Sequence, residues 1–367
     1  MESTFLNTAR MAVFFLLVAS ASALAFHEGG VASCDGCHMM HFSRDGQTMS
    51  LGYTDLLIAE TPSDVCLTCH ADDHGAVFGS NPLAPPPIKG AGNFVFLLED
   101  NINDAPDGAS NPIPGYAAGH SIVAPSMGVG SDPYWNTSPG GNYPSHHMGC
   151  TSCHDPHGNQ NFRMLRSVGD EVPGGFIFSY AAPLAAGLNL DSFSEEAPNL
   201  HSAYLSGMSQ WCANCHENYL QDDHDENGAS TFEHDTNRPL GDEAYNYNLY
   251  NGTADPTGGD QATAYLPEVP FESSSNTITS TEGPHPSNRM NCLSCHRAHA
   301  SSAPHAGRWD FNVETLGEDG VVSGSYPMPN PYGDPAQRQL CEKCHEIEDE
   351  DRASADWKYH RLSGGLR

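Results

Sequence analysis

The placement of the cysteines constrains this chain more than any other feature. All 12 fall into CxxC pairs, and each pair is followed at once by a histidine. The units are Cys34-Asp35-Gly36-Cys37-His38, Cys66-Leu67-Thr68-Cys69-His70, Cys150-Thr151-Ser152-Cys153-His154, Cys212-Ala213-Asn214-Cys215-His216, Cys292-Leu293-Ser294-Cys295-His296 and Cys341-Glu342-Lys343-Cys344-His345. Zinc sites and disulfides also use cysteines in pairs, but neither calls for a histidine directly after the second one. With 20 histidines in 367 residues, six matches out of six are not a coincidence. The spacing is the attachment signature of c-type haem. Two thiols add to the two vinyl groups of one porphyrin, and the adjacent histidine reaches the iron as proximal ligand from the same turn. Six covalent haems are therefore expected.

The rest of the sequence looks poor in core-forming segments. Gly and Pro number 36 and 27, and the mean hydropathy is −0.46. Stretches such as 82–87 (PLAPPP) and 273–281 (SSSNTITST) show neither a helical nor a strand period. No conventional apolar core is visible. Six porphyrins supply the missing apolar surface, so the expected fold is mostly irregular coil with short α-helices at the CxxCH turns and little β, a multihaem c-type cytochrome wrapped around a haem column. Haems at close spacing leave no room for a domain boundary, so residues 26–367 are expected to form one domain.

Residues 1–25 read as a cleavable secretion signal. Arg10 gives the positive n-region, 11–19 (MAVFFLLVA) is an apolar run too short to span a bilayer, and Ala23-Leu24-Ala25 is a small-residue cleavage pattern. Export agrees with the cysteines, since haem is attached outside the cytoplasm. No later apolar run is long enough for a transmembrane helix, so the mature chain is not expected to insert in a membrane. The formal charge of −31, from 46 acidic and 15 basic residues, repels nucleic acid and anionic lipid.

The histidines left after the proximal six outnumber the irons. A haem with both axial positions filled by histidine has no place for substrate, so the surplus argues for electron transfer rather than catalysis. His41, His157 and His299 each lie three residues after a proximal histidine, at units one, three and five. Residues i and i+3 share a face of a helical turn, so such a pair serves its own haem and a neighbouring one rather than clamping one iron. The chain reads as three haem pairs on one local plan. His27 and His285 each precede the first cysteine of their unit by the same interval, and His74, His120, His201 and His234 are further distal candidates. His146 and His147 are adjacent, so at most one of them is expected to ligate, on the third or fourth haem. His305 and His360 sit in polar surroundings and read as surface residues. Met39, Met40 and Met148 are expected to pack against porphyrin. Asp223, Asp225, Asn227 and Gly228 open like a calcium loop, but His234 stands where a bidentate Glu is wanted, so a solvated acidic turn is expected there. The run at 346–351 (EIEDED) reads as a solvated acidic tail.

Beyond the haem units, six stretches resemble the hexahaem outer-surface cytochrome S (OmcS) type of extracellular cytochrome nanowire. They are 25–41 (AFHEGGVASCDGCHMMH), 119–123 (GHSIV), 139–158 (PGGNYPSHHMGCTSCHDPHG), 207–216 (GMSQWCANCH), 291–301 (NCLSCHRAHAS) and 337–345 (QRQLCEKCH). The resemblance implies head-to-tail filaments of identical subunits with one continuous stack of bis-histidine haems. It also implies delivery of respiratory electrons from upstream cytochromes, via the periplasm, to extracellular acceptors such as ferric oxides. It further implies that His41 crosses to the next subunit and ligates its fifth haem, at Cys292, Cys295 and His296. By repeat logic His157 then serves haem one and His299 haem three. Two departures stand out. Gly149 occupies a position that is histidine in the type member, with His146 and His147 left as replacements, and Leu220 occupies another. The rival readings are a monomeric periplasmic shuttle, with every distal ligand in one chain, and a multihaem oxyanion reductase, which needs an open axial site.

Overall fold

A single CxxC pair is only long enough to wind one turn, and the chain does little more than that at each unit. The computed structural model of the chain describes residues 34–39, 43–44, 47–48, 56–71, 77–81, 90–98, 115–188, 201–220, 236, 239–249, 269–273 and 284–308. The leader at 1–25, the sixth unit at 341–345, His27, His41, His74, His234, His360, the 223–234 loop and the 346–351 run lie outside the described residues.

Unit one is a 3₁₀ turn, Cys34–Gly36. Unit two ends helix α1 (Pro62–His70), the longest described. Its start is written in Thr61-Pro62-Ser63-Asp64: Thr61 Oγ1 accepts from the Asp64 amide at 3.0 Å, Asp64 accepts from the Thr61 amide at 3.1 Å, and Pro62 fills a position with no partner for an N–H. Units three and five form the short helices α2 (Cys150–Cys153) and α5 (Cys292–Cys295). In both, the serine of C-x-S-C turns back on the residue before the first cysteine: Ser152 Oγ accepts from the Gly149 amide at 3.0 Å and Ser294 Oγ from the Asn291 amide at 3.1 Å. Helix α3 (Met208–Cys212) stops at the first cysteine of unit four, and α4 (Glu243–Leu249) carries no haem unit.

Strand content is small. Hairpins pair β1 (Ser43–Arg44) with β2 (Gln47–Thr48) and β3 (Glu171–Val172) with β4 (Phe176–Ile177). A four-stranded sheet runs β5 (Leu184–Leu188), β6 (His201–Ser206), β7 (Phe271–Glu272), β8 (Arg289–Met290), with β6 and β7 parallel and the other pairs antiparallel. Coil with short helices and little β is the architecture, as the composition implies.

One expectation needs correction. The chain does gather an apolar core: Leu67, Phe78, Phe94, Val95, Phe96, Ile122, Val129 and Ala300 are buried together. A second, smaller cluster joins Tyr143, Val172 and Phe178, and Met148 packs against both. The members come singly or in short runs from distant segments, so no periodic stretch announces them. Close backbone approach knits these segments together. Gly119 pairs with Ala300, and the His120 amide donates to the His299 carbonyl at 2.9 Å. A Cβ on Gly119 would lie 2.2 Å from that carbonyl oxygen and 2.5 Å from the Ala300 Cα. Gly119→Ala should therefore lower stability by about 2 kcal/mol or more, because rigid backbone on both sides must move. Gly130→Ala, where a Cβ meets nothing within 4 Å, should leave the thermal midpoint nearly unchanged. Comparing the two melting curves checks this.

Candidate functional site

The helical turn ends before the proximal histidine, which corrects the idea that this residue lies on the CxxC turn. His154 (φ −111, ψ 140) and His296 (φ −115, ψ 163) are extended, whereas His70 is the last residue of α1. Extension lets each histidine bridge to a second strand-like segment: His38 to Leu57, His154 to Leu165 and His296 to Gly307. The flanking hydrogen bonds repeat. Met39, Asp155 and Arg297 amides donate to the carbonyls of Leu56, Met164 and Ala306 at 2.7, 2.8 and 2.6 Å. Ile58, Arg166 and Arg308 amides donate back to Cys37, Cys153 and Cys295. Leu56, Met164 and Ala306 all take positive φ, 54, 56 and 55 respectively, a costly region for non-glycine residues that persists where surrounding structure enforces it. Units one, three and five thus share one backbone module. The +3 histidines mark the same three units, although the reason is an extended crossover and not a shared helical face.

The imidazoles are held in a defined tautomer. Nδ1 of His154 bonds the Arg163 carbonyl at 2.9 Å, His216 the Pro139 carbonyl at 2.7 Å, and His296 the His305 carbonyl at 2.9 Å. Nδ1 of His120 bonds the Ala298 carbonyl at 2.7 Å. A carbonyl can only accept, so Nδ1 carries the proton and Nε2 keeps its lone pair. That is how a protein orients a histidine toward a metal. Burial lowers His120, His154 and His296. It takes His216 down to about 4 and His299 to about 3, with neighbouring imidazoles adding to both shifts. Neutral imidazoles whose Nε2 keeps its lone pair, as at His120, His154, His216 and His296, are the donor set that haem iron requires, so these residues fit the group that the CxxC pairs imply.

The structure also brings rings from different units together. His38 and His157 are parallel within 13° with centroids 6.3 Å apart, and His120 and His216 lie 6.0 Å apart. His299 stacks on Phe94 at 4.5 Å and feels the charge of His154. His146 and His147 are exposed with rings 4.1 Å apart. His285 is exposed, its Nδ1 bonded to Ser287, and His305 is exposed. His201 is wholly buried on β6.

The cysteines run in a line with alternating contacts. Burial pushes the Cys37 thiol up, with Cys69 adding to it. Cys66 and Cys150 share a hydrogen bond, as do Cys212 and Cys292, and in each pair this bond and burial raise the first thiol. Burial pushes Cys215 up to about 12, with Cys153 contributing. Units one and two, and three and four, are therefore coupled through the charge of their second cysteines, while two and three, and four and five, meet at their first. Reading the units as three pairs misses this second kind of junction. Sequence reasoning also missed Ser63 and Ser209, whose hydroxyls accept from the Cys150 and Cys292 amides at 3.2 and 3.3 Å. The available signal was S-x-x-C at 63–66 and at 209–212. It missed Arg166 and Arg308 as well, whose Nε atoms donate to the Thr151 and Leu293 carbonyls.

Repeated CxxCH turns, oriented imidazoles and a coil-rich frame define a multihaem c-type cytochrome. A family model described as a doubled CXXCH motif matches residues 144–172. The chain is 30% identical to the C-type cytochrome OmcS of Geobacter sulfurreducens, over 90% of this chain and 96% of that one. Two solved structures are similar to it: an Outer Membrane Cytochrome S filament from Geobacter sulfurreducens (TM-score 0.69, 27% identity, 87% of this chain and 99% of that one) and the OmcS nanowires from the same organism examined by cryo-EM (TM-score 0.67, 28% identity, the same coverage). The chain belongs to the OmcS family of c-type cytochromes, proteins that carry electrons on covalent haem rather than turn over a substrate. Among the described residues no helix is long and apolar enough to cross a membrane.

The histidine shifts set a pH dependence. An unfolded imidazole titrates near 6.5, and His216 and His299 in the fold titrate near 4 and 3. Between those values the unfolded chain binds protons that the folded chain refuses. Their contribution is therefore whole above pH 6.5 and is lost as pH falls toward 4 and then 3. Denaturant titrations of the haem-free chain by circular dichroism should show stability falling steadily below pH 6.5; a flat profile down to pH 4 would contradict the burial of these rings.

Proposed function

We propose that this chain is a secreted hexahaem cytochrome that polymerises head to tail into extracellular filaments and conducts electrons along stacked bis-histidine haems. The observation that carries it is the run of cysteine interactions from Cys37 to Cys292, with hydrogen bonds between Cys66 and Cys150 and between Cys212 and Cys292, which supports five consecutive attachment points lying side by side. Porphyrins fixed at such points are neighbours in chain order, and edge-to-edge neighbours pass electrons without moving parts. The relatives form filaments and nanowires, which supports an open assembly: a head-to-tail contact that does not close extends indefinitely.

In this reading residues 1–25 direct export and 26–367 form one domain at the cell surface. Each CxxC pair holds one haem, and His38, His70, His154, His216, His296 and His345 are the proximal ligands. His157 is the distal ligand of haem one: two imidazoles bound to opposite sides of one metal, each at about 2.0 Å, have centroids roughly 6 Å apart, as His38 and His157 do. The same spacing assigns His120 to haem four, opposite His216. His299, close enough to His154 to shift with its charge, serves haem three. His41 crosses to haem five of the next subunit. His146 or His147 serves haem two, and His27, His234 and His285 remain for haem six. Upstream cytochromes load the filament, and ferric oxides or similar acceptors outside the cell unload it.

Intact mass of the mature protein should equal the polypeptide from Phe26 plus six haems, and carbon monoxide should barely alter the reduced spectrum. One free CxxC pair, or one haem that binds the gas stoichiometrically, would overturn the count or the axial assignment. His41→Ala should keep six haems, create one high-spin centre per chain and shorten or abolish filaments in negative-stain micrographs. His157→Ala should create one high-spin centre and leave filaments intact. Normal filaments from His41→Ala would remove the cross-subunit bond, and a wild type that is monomeric and wholly low-spin would favour the periplasmic shuttle.

A further inference from the structure

Two carboxylates are buried where consecutive units meet at their first cysteines. Asp64 is 2% exposed. Its carboxylate has no ion-pair partner among the described residues and accepts four hydrogen bonds: from the Thr61 amide (3.1 Å) and hydroxyl (2.9 Å), and from the Ser126 amide (3.0 Å) and hydroxyl (2.5 Å). The preceding residue, Ser63, receives the Cys150 amide, and the Asp64 charge reaches the Cys150 thiol. Glu272 on β7 is 5% exposed. It accepts from the Met208 amide at 2.7 Å, the next residue, Ser209, receives the Cys292 amide, and the Glu272 charge reaches the Cys292 thiol.

The two junctions are built alike except in where the charge comes from. Ser63 and Ser209 stand at equivalent places, three residues before Cys66 and Cys212. The residue after Ser63 is Asp64, which caps its own helix, while the residue after Ser209 is Gln210. At the second junction the carboxylate arrives from another element altogether and still binds the N-terminal amides of the helix. By contrast, the junction of units three and four holds the fully buried Tyr143, a phenol kept neutral by burial. A helix start needs only a neutral acceptor, and burying an unpaired charge is costly, so capping alone does not account for two such charges.

We propose that Asp64 and Glu272 are redox-tuning residues, each holding a negative charge beside the junction and lowering the reduction potential of the haem attached at Cys150 and at Cys292. This rests on the attachment proposed above. A negative charge favours the ferric state, which carries one more positive charge than the ferrous state. Arg166 lies near Cys153, and Arg289 and Arg308 lie near Glu272 and Cys292. They act in the opposite sense and remain in place when a carboxylate is neutralised.

The test is a spectroelectrochemical titration of the six-haem protein at pH 8, where a buried carboxyl raised by desolvation, as Glu272 is, is better ionised. Asp64→Asn and Glu272→Gln should each move one haem equivalent to higher potential, by about a tenfold change in its ferrous-to-ferric ratio at fixed applied potential, or 59 mV for one electron. The double variant should move two equivalents. Ser126→Ala removes a donor and leaves the charge, so it should move one equivalent the other way. Unchanged titrations in both carboxylate variants, or upward shifts in all three, would show that the groups act only as structural caps. Intact mass on the same samples separates this from the attachment reading: haem loss in the wild type overturns that reading, whereas six haems with unmoved potentials overturn the tuning alone.

Discussion

The Cys150 amide donates to Ser63 Oγ, and the Cys292 amide donates to Ser209 Oγ. Each bond sets the start of one haem-bearing turn against the helix of the turn before it, close enough for Cys66 to meet Cys150 and Cys212 to meet Cys292. Much of the described fold serves that approach. The capping box at Thr61 and Asp64 fixes the direction of α1, the Gly119 and Ala300 pairing draws the GHSIV segment beneath unit five, and the sheet brings β7 to the foot of α3. A chain this rich in Gly and Pro cannot hold such geometry through long regular elements. It uses short hydrogen-bonded crossovers instead.

The sequence was most legible where covalent chemistry fixes spacing. The haem units and the coil-rich class could be read directly, because thioether attachment and an adjacent ligand leave little freedom in residue order. The apolar core could not, since Phe78, Phe94, Ile122 and Ala300 lie in segments without a period and meet only through backbone approach. The carbonyls of Arg163, Pro139 and His305 that orient the proximal rings carry no side-chain signal at all. Gln210 against Glu272 shows the same limit in another form: the charge at the second junction comes from a residue far away in sequence.

Two levels of order coexist in the molecule. One has a period of two units: units one, three and five share a crossover with a left-handed residue, and the junctions alternate between first and second cysteines. The other is electrostatic, with a formal charge of −31 spread over the chain, two buried carboxylates at alternate junctions and a neutral phenol between them. In the proposed conduit the first level would keep the haems in contact, and the second would set their relative energies.

A cryo-EM map of the secreted protein, at a resolution that shows iron and both axial side chains, bears most directly on the proposed conduit. The prediction is six irons per chain in one unbroken file in sequence order, with iron one between His38 and His157 and iron four between His216 and His120. The haems of units two and three, and of four and five, should approach each other where their first cysteines meet. Irons in separated groups, or iron one with a distal histidine other than His157, would contradict it.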